Sequence, residues 1–168
     1  MSLRVTFGID PGLGGALAVL ADGELQCILD MPTMPVGNYN EVDAGQLARY
    51  LREARQEHPG AYFSACLERV GARPGDGGTS AFRFGEGFGK VKSVLEVLGI
   101  PFVMPVPAQW KRYYGLIGKE KDESRQLALK RFPGAEHRMQ RKKDHGRAEA
   151  ALLALYHDNT DHAGRNAA

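Results

Sequence analysis

Leu3-Arg4-Val5-Thr6-Phe7-Gly8-Ile9-Asp10-Pro11-Gly12-Leu13-Gly14-Gly15 is the stretch that decides the fold. Its period-2 alternation predicts a buried strand with Leu3, Val5, Phe7 and Ile9 on one face and Asp10 on the other. A carboxylate is thereby delivered to a strand tip and followed by a glycine turn, a place where metal or phosphate comes close to the backbone. The apolar run Gly15-Ala16-Leu17-Ala18-Val19-Leu20 begins a second strand at once and closes at Asp22-Gly23, a hairpin signal.

Working outward, residues 24–31 read as a third strand and residues 32–40, with Pro32 and Pro35, as a loop. Asp43 opens a helix with Leu47, Leu51 and Ala54 at helical spacing and Pro59-Gly60 as its stop. Residues 62–67 form a compact apolar strand ending at Glu68. A long helix is expected over 79–98, weakened in its first half by Gly85, Gly87 and Gly89. A short strand over 101–104, a short helix from Pro107 to Tyr113, a helix over 121–132 and a last helix over about 145–157 complete the order. Three antiparallel strands followed by alternating helices and strands predict an α/β protein, a mixed five-stranded sheet with helices on both faces. At 168 residues and 43% hydrophobic, the chain is expected to form one domain over 1–158, with 159–168 a flexible tail.

Net charge is only +2 but unevenly spread: residues 1–80 carry 6 Lys+Arg against 10 Asp+Glu, and residues 81–168 carry 16 against 10. The basic half suits a polyanion. Cys27 and Cys66 form no CxxC pair, which argues against a disulfide framework or a zinc site and for a reducing cytoplasm. No run reaches the roughly 18–20 apolar residues of a membrane span, so no membrane role is expected.

If the strands ending at Asp10 and Glu68 lie parallel and adjacent, the two acids meet at the carboxyl edge of the sheet, the usual ligand side of an open α/β sheet. The segment Lys142-Lys143-Asp144-His145-Gly146-Arg147-Ala148-Glu149 supplies more: His145 and Glu149 share a helix face, and Asp144 stands at its N-terminus as a ligand or only a cap. Carboxylates gathered this closely need countercharge, and oxygen-rich sites suit magnesium or manganese. Two such ions activate water and stabilise the leaving oxygen of a phosphodiester.

With these motifs in view, the chain resembles the RuvC-type Holliday-junction resolvases of the ribonuclease H-like superfamily, in the form that phages carry. The resemblance spans residues 3–157. It rests on Gly8-Ile9-Asp10-Pro11-Gly12, Cys66-Leu67-Glu68, Phe84-Gly85-Glu86-Gly87-Phe88-Gly89, Pro107-Ala108-Gln109-Trp110-Lys111 and Lys143-Asp144-His145-Gly146-Arg147-Ala148-Glu149-Ala150. It implies a ribonuclease H-like fold and a homodimeric, magnesium-dependent endonuclease, with manganese substituting and two ions per site. Such an enzyme nicks four-way and other branched DNA, leaves 5′-phosphate and 3′-hydroxyl ends, and works in a bacterial or phage-infected cell. Asp10, Glu68, Asp144 and Glu149 match the family's acids. The family often places its last two ligands three residues apart, but Gly146 stands three before Glu149, so the fourth ligand is expected from Asp144, with His145 as the alternative.

DNA contacts are expected from Phe82 and Arg83, stacking on unpaired bases, and from Lys90, Lys111, Arg112, Lys119, Lys121, Arg141, Lys142 and Lys143 on phosphates. Phe84 and Phe88 read as an i, i+4 core pair, and Trp110 as core. Two other classes compete. A non-catalytic architectural junction-binding protein would use the same basic surface. A sugar-kinase or actin-like ATPase needs two such domains, and this chain has room for one.

Overall fold

A computed structural model describes residues 2–72 and 74–166. Strands β1 (Arg4–Asp10), β2 (Ala16–Ala21) and β3 (Glu24–Asp30) form the expected antiparallel meander. A second ribbon follows, β4 (Thr33–Val36) and β5 (Tyr39–Val42), then helix α1 (Ala44–Glu57), β6 (Tyr62–Leu67), α2 (Gly78–Val97) and β7 (Phe102–Val103). Helices α3 (Pro107–Tyr113), α4 (Lys121–Arg131), α5 (Glu136–Met139) and α6 (His145–Asn166) complete the chain. The main sheet has the order β3-β2-β1-β6-β7, with β6 parallel to β1 and β7 parallel to β6. This is the mixed five-stranded sheet expected.

β1 is central and buried on both faces, so its alternation sorts residues between two layers. Val5, Phe7 and Ile9 pack with Leu47, Leu51, Val91 and Leu95 of α1 and α2. On the other face, Ala16, Ala18, Leu20 and Cys66 pack with Trp110, Ala128, Met139 and the buried run Ala150 to Ala154 of α6. α6 lies directly against β1, and Gly8 is the reason: a Cβ there would sit 2.0 Å from the Ala150 carbonyl oxygen. Only a residue without a side chain permits that approach. At the far end, Thr6 Oγ1 donates to buried Asp158 at 3.2 Å.

Three expectations are corrected. The segment 32–40 read as a loop holds most of the β4–β5 hairpin, with Gly37 at φ 61° in the Gly37-Asn38 turn between Val36 and Tyr39. Two prolines masked this turn signal, because a two-stranded ribbon has edges that tolerate a missing N–H. α6 does not stop near residue 157 but runs to Asn166; of the supposed tail, residues 159–166 are helical and 167–168 lie outside the described residues. The last strand shrinks to Phe102–Val103. Among the described residues no helix is long and apolar enough to cross a membrane.

Candidate active site

Asp10 and Glu68 are neighbours by register. Ile9 pairs with Leu67, and the Glu68 amide donates to the Ile9 carbonyl at 3.0 Å, so the two acids emerge side by side at the carboxyl edge of β1 and β6. The turn after β1 is tight: Gly15 N donates to Gly12 O at 2.8 Å, and Gly12 N donates to Asp10 Oδ1 at 3.2 Å. α6 begins against this turn. A Cβ at Gly146 would stand 2.4 Å from the Gly14 carbonyl oxygen, so no side chain is admitted there. His145 and Glu149, one helical turn apart, enter the space beside Asp10 instead.

The result is a cleft of about 410 Å³ lined by Asp10, Glu68, Lys111, Lys121, His145 and Glu149, with Arg69 and Phe84 also on its walls. Its floor is acidic and its rim basic. Burial pushes the Glu68 carboxyl up to about 7; the Trp110 hydrogen bond opposes this, and the charges of Asp10 and Glu149 reinforce it. Asp10 is raised mainly by burial, against the Gly12 hydrogen bond and the positive charges of His145 and Lys111. Burial also raises Glu149, opposed by Lys111, whose Nζ lies 3.6 Å from Glu149 Oε1, and reinforced by Asp10.

This has a consequence for stability. Glu68 holds its proton in the folded state at pH values where the unfolded chain has lost it, so its contribution is full below about 4.5 and lost as pH rises through about 7. Glu68→Gln is therefore expected to stabilise the fold relative to the parent at pH 8, by an amount on the order of 2 kcal/mol and with a higher melting temperature, and to have little effect at pH 4. Thermal melts at the two pH values check this; equal differences at both would contradict it.

Asp144 is not in the cleft. Its carboxylate is 5% exposed and captured by Arg141, whose Nη2 donates to Oδ1 at 2.8 Å and whose backbone N donates to Oδ2 at 2.9 Å. The Arg141 guanidinium holds it below the usual carboxylate range. Asp144, expected as the fourth ligand, closes the turn into α6, and the cleft is lined by its neighbour His145. Asp144→Ala should cost about 1–3 kcal/mol of stability by stranding its partners. It should slow any cleavage far less than loss of Asp10; rate assays beside melting curves decide.

The cationic residues divide. Lys111 and Lys121 line the cleft itself, while Arg112, Lys119, Lys142 and Lys143 are exposed. Lys90, expected on a DNA phosphate, pairs its ammonium with Glu41 of β5, joining α2 to the hairpin, and lies 3.7 Å from Glu86. Arg83 stacks over the Tyr39 ring at 3.8 Å, and Phe82 is 74% exposed. The expected core pair splits, since Phe88 packs on the core whereas Phe84 lines the cleft. Sequence reasoning took Trp110 for core alone. It is fully buried, and its Nε1 also donates to Glu68 Oε1 at 2.9 Å.

Among the described residues no three acidic, histidine or cysteine side chains stand close enough to form a ready metal cage. The donor set nonetheless fits a hard divalent cation. Magnesium is held by one or two carboxylates with water and phosphate completing the shell, and the acids of this cleft, Glu68 buried and Asp10 and Glu149 half-buried, offer such oxygens.

No protein-family model matches the chain. In fold it is similar to RuvC of Thermus thermophilus, solved in complex with a Holliday junction substrate, at a TM-score of 0.64, 18% identity and coverage of 96% and 97% of the two chains. A second Thermus thermophilus RuvC structure gives 0.63, 19% identity and the same coverage. The chain thus has the RuvC form of the ribonuclease H-like fold. In sequence it is 30% identical over 149 residues, 77% of its length, to the chloroplastic Holliday junction resolvase MOC1 of Chlamydomonas reinhardtii. The chain spans about a sixth of that curated relative, 17% of its length. The chain is thus similar in fold to RuvC and, over 77% of its length, similar in sequence to a Holliday junction resolvase.

Proposed function

We propose that this chain is a metal-dependent, structure-selective DNA endonuclease that resolves four-way junctions. One observation carries the reading: Asp10, Glu68 and Glu149, from three separate segments, line one cleft on a RuvC-type fold. Asp10, Glu68 and Glu149, with His145, would hold magnesium, with manganese as substitute and room in the reading for two ions. When bound, such cations supply an activated water and neutralise charge at the scissile phosphate. The chain's own residues do the rest. Lys111 and Lys121 bring positive charge to the phosphate, and Lys119, Arg112, Lys142 and Lys143 grip the backbone beyond it. Phe82 offers an exposed ring for an unpaired base. The products are a 5′-phosphate and a 3′-hydroxyl.

The working unit is a homodimer of one nuclease domain per chain, acting in a bacterial or phage-infected cytoplasm. A two-fold axis presents two clefts to two strands, which gives paired nicks a geometric basis. The test is a panel of four-way, three-way, flap and linear DNA incubated with magnesium or manganese. Paired nicks in the four-way junction, lost when chelator is added, are expected. Junction binding with no nick under either metal would establish an architectural protein instead.

A further inference from the structure

The structure assigns to Trp110 the role of positioning residue for Glu68, holding that acid at a set distance from Glu149; the assignment rests on the endonuclease reading of the cleft. Trp110 is the only tryptophan of the chain and is fully buried. Tryptophan fills the core with a large ring and, unlike phenylalanine, also carries one N–H donor. That donor is directed at Glu68 Oε1, 2.9 Å away, and Glu68 is itself 8% exposed. An indole can only donate, so it fixes Oε1 as an acceptor and stops the carboxylate from rotating, leaving the second oxygen to the cleft.

The same short helix reaches the opposite wall. Pro107 starts α3, and Gln109 Oε1 accepts from the Val106 amide at 2.9 Å, which secures its first turn. Tyr114, just past its end, meets the Trp110 ring edge-to-face at 6.4 Å and donates its hydroxyl to the Leu152 carbonyl of α6 at 2.9 Å. Lys111, the next residue, reaches Glu149. A continuous strut therefore runs from Glu68 at the end of β6, through Trp110 and Tyr114, to the helix that bears Glu149. Outer-sphere partners that orient a ligand typically change metal affinity by about 10–100-fold when lost.

A lone tryptophan makes the test direct, because the protein labelled with ¹⁵N has one indole N–H resonance. Glu68→Gln is expected to move that resonance, and magnesium titration to move it saturably in the parent but not in Asp10→Asn. Trp110→Phe keeps a smaller aromatic ring without the N–H and is expected to weaken manganese binding by calorimetry about 10–100-fold. Its cleavage should require correspondingly more magnesium and recover to within a few-fold of the parental rate when metal saturates. An indole resonance indifferent to both magnesium and Glu68→Gln overturns the assignment without any Trp110 variant having to fold. Parental manganese affinity in a folded Trp110→Phe protein overturns it too, while the endonuclease reading survives if the parent cleaves. A parent that neither binds manganese nor cuts a junction removes both.

Discussion

Asp10→Asn is expected to abolish cleavage of a four-way junction while leaving junction binding intact. Asparagine is nearly isosteric and still offers an oxygen to the Gly12 amide, now 3.2 Å from Oδ1, so the turn after β1 keeps its shape. What disappears is a full negative charge at the tip of the central strand, beside Glu68 and on the wall shared with Glu149 and His145. Removing one preorganised electrostatic contact costs about 10²–10³ in rate in enzymes where it has been measured. A residue that holds the cation directly should cost at least ~10³, beyond the roughly 10–100-fold of an outer-sphere change. Single-turnover cleavage in magnesium, read beside a gel-shift titration, separates the two effects. Undiminished nicking by Asp10→Asn would sink the proposed function.

Gly8→Ala is expected to produce the largest loss of stability of any single methyl group added to this chain's strands. The new Cβ would meet the Ala150 carbonyl oxygen at 2.0 Å, the Ala154 amide nitrogen at 2.5 Å and the Ala154 Cβ at 2.8 Å. Two of these are backbone atoms inside a helix, so no side chain can swing aside and α6 must move as a body. Overpacking typically costs about 1–3 kcal/mol, and a clash with helix backbone should cost about 4 kcal/mol or more. The same displacement carries Glu149 and His145 away from Asp10, so whatever fraction folds should also cleave poorly. Chemical denaturation and soluble yield measure the first effect, and a variant that unfolds with the parental midpoint would show that α6 does not rest on β1 as described.

The readable parts of this chain were those written in neighbouring residues. Strand β1, its terminal aspartate and the glycine turn follow from period-2 alternation and turn chemistry within about fifteen residues. Asp43 announced α1, and its carboxylate does accept from Gln46 N at 2.9 Å. Placing Glu68 beside Asp10 needed one further step, a parallel pairing of β1 with the strand that follows α1, and the observed register has it. Lys90 shows where this stops. Its partner Glu41 lies 49 residues earlier on a hairpin that the prolines concealed, so its charge looked available for DNA.

The choice between Asp144 and His145 marks the boundary most clearly. Adjacent residues at a helix start differ by about 100° in direction, and nothing in Lys143-Asp144-His145-Gly146 says which points inward. Arg141 captures Asp144, and Gly146 lets the helix end press on the Gly14-Gly15 backbone, so that His145 lines the cleft and Asp144 does not. Trp110 was legible as a core ring, yet its N–H has meaning only once β6 and α3 are packed together. Local residue order was enough for the main-sheet strands and for the acids at the ends of β1 and β6, because backbone periodicity and turn preferences act over a few residues. Which side chains neutralise, hold or exclude one another was decided by packing alone, since those forces act across space between segments far apart along the chain.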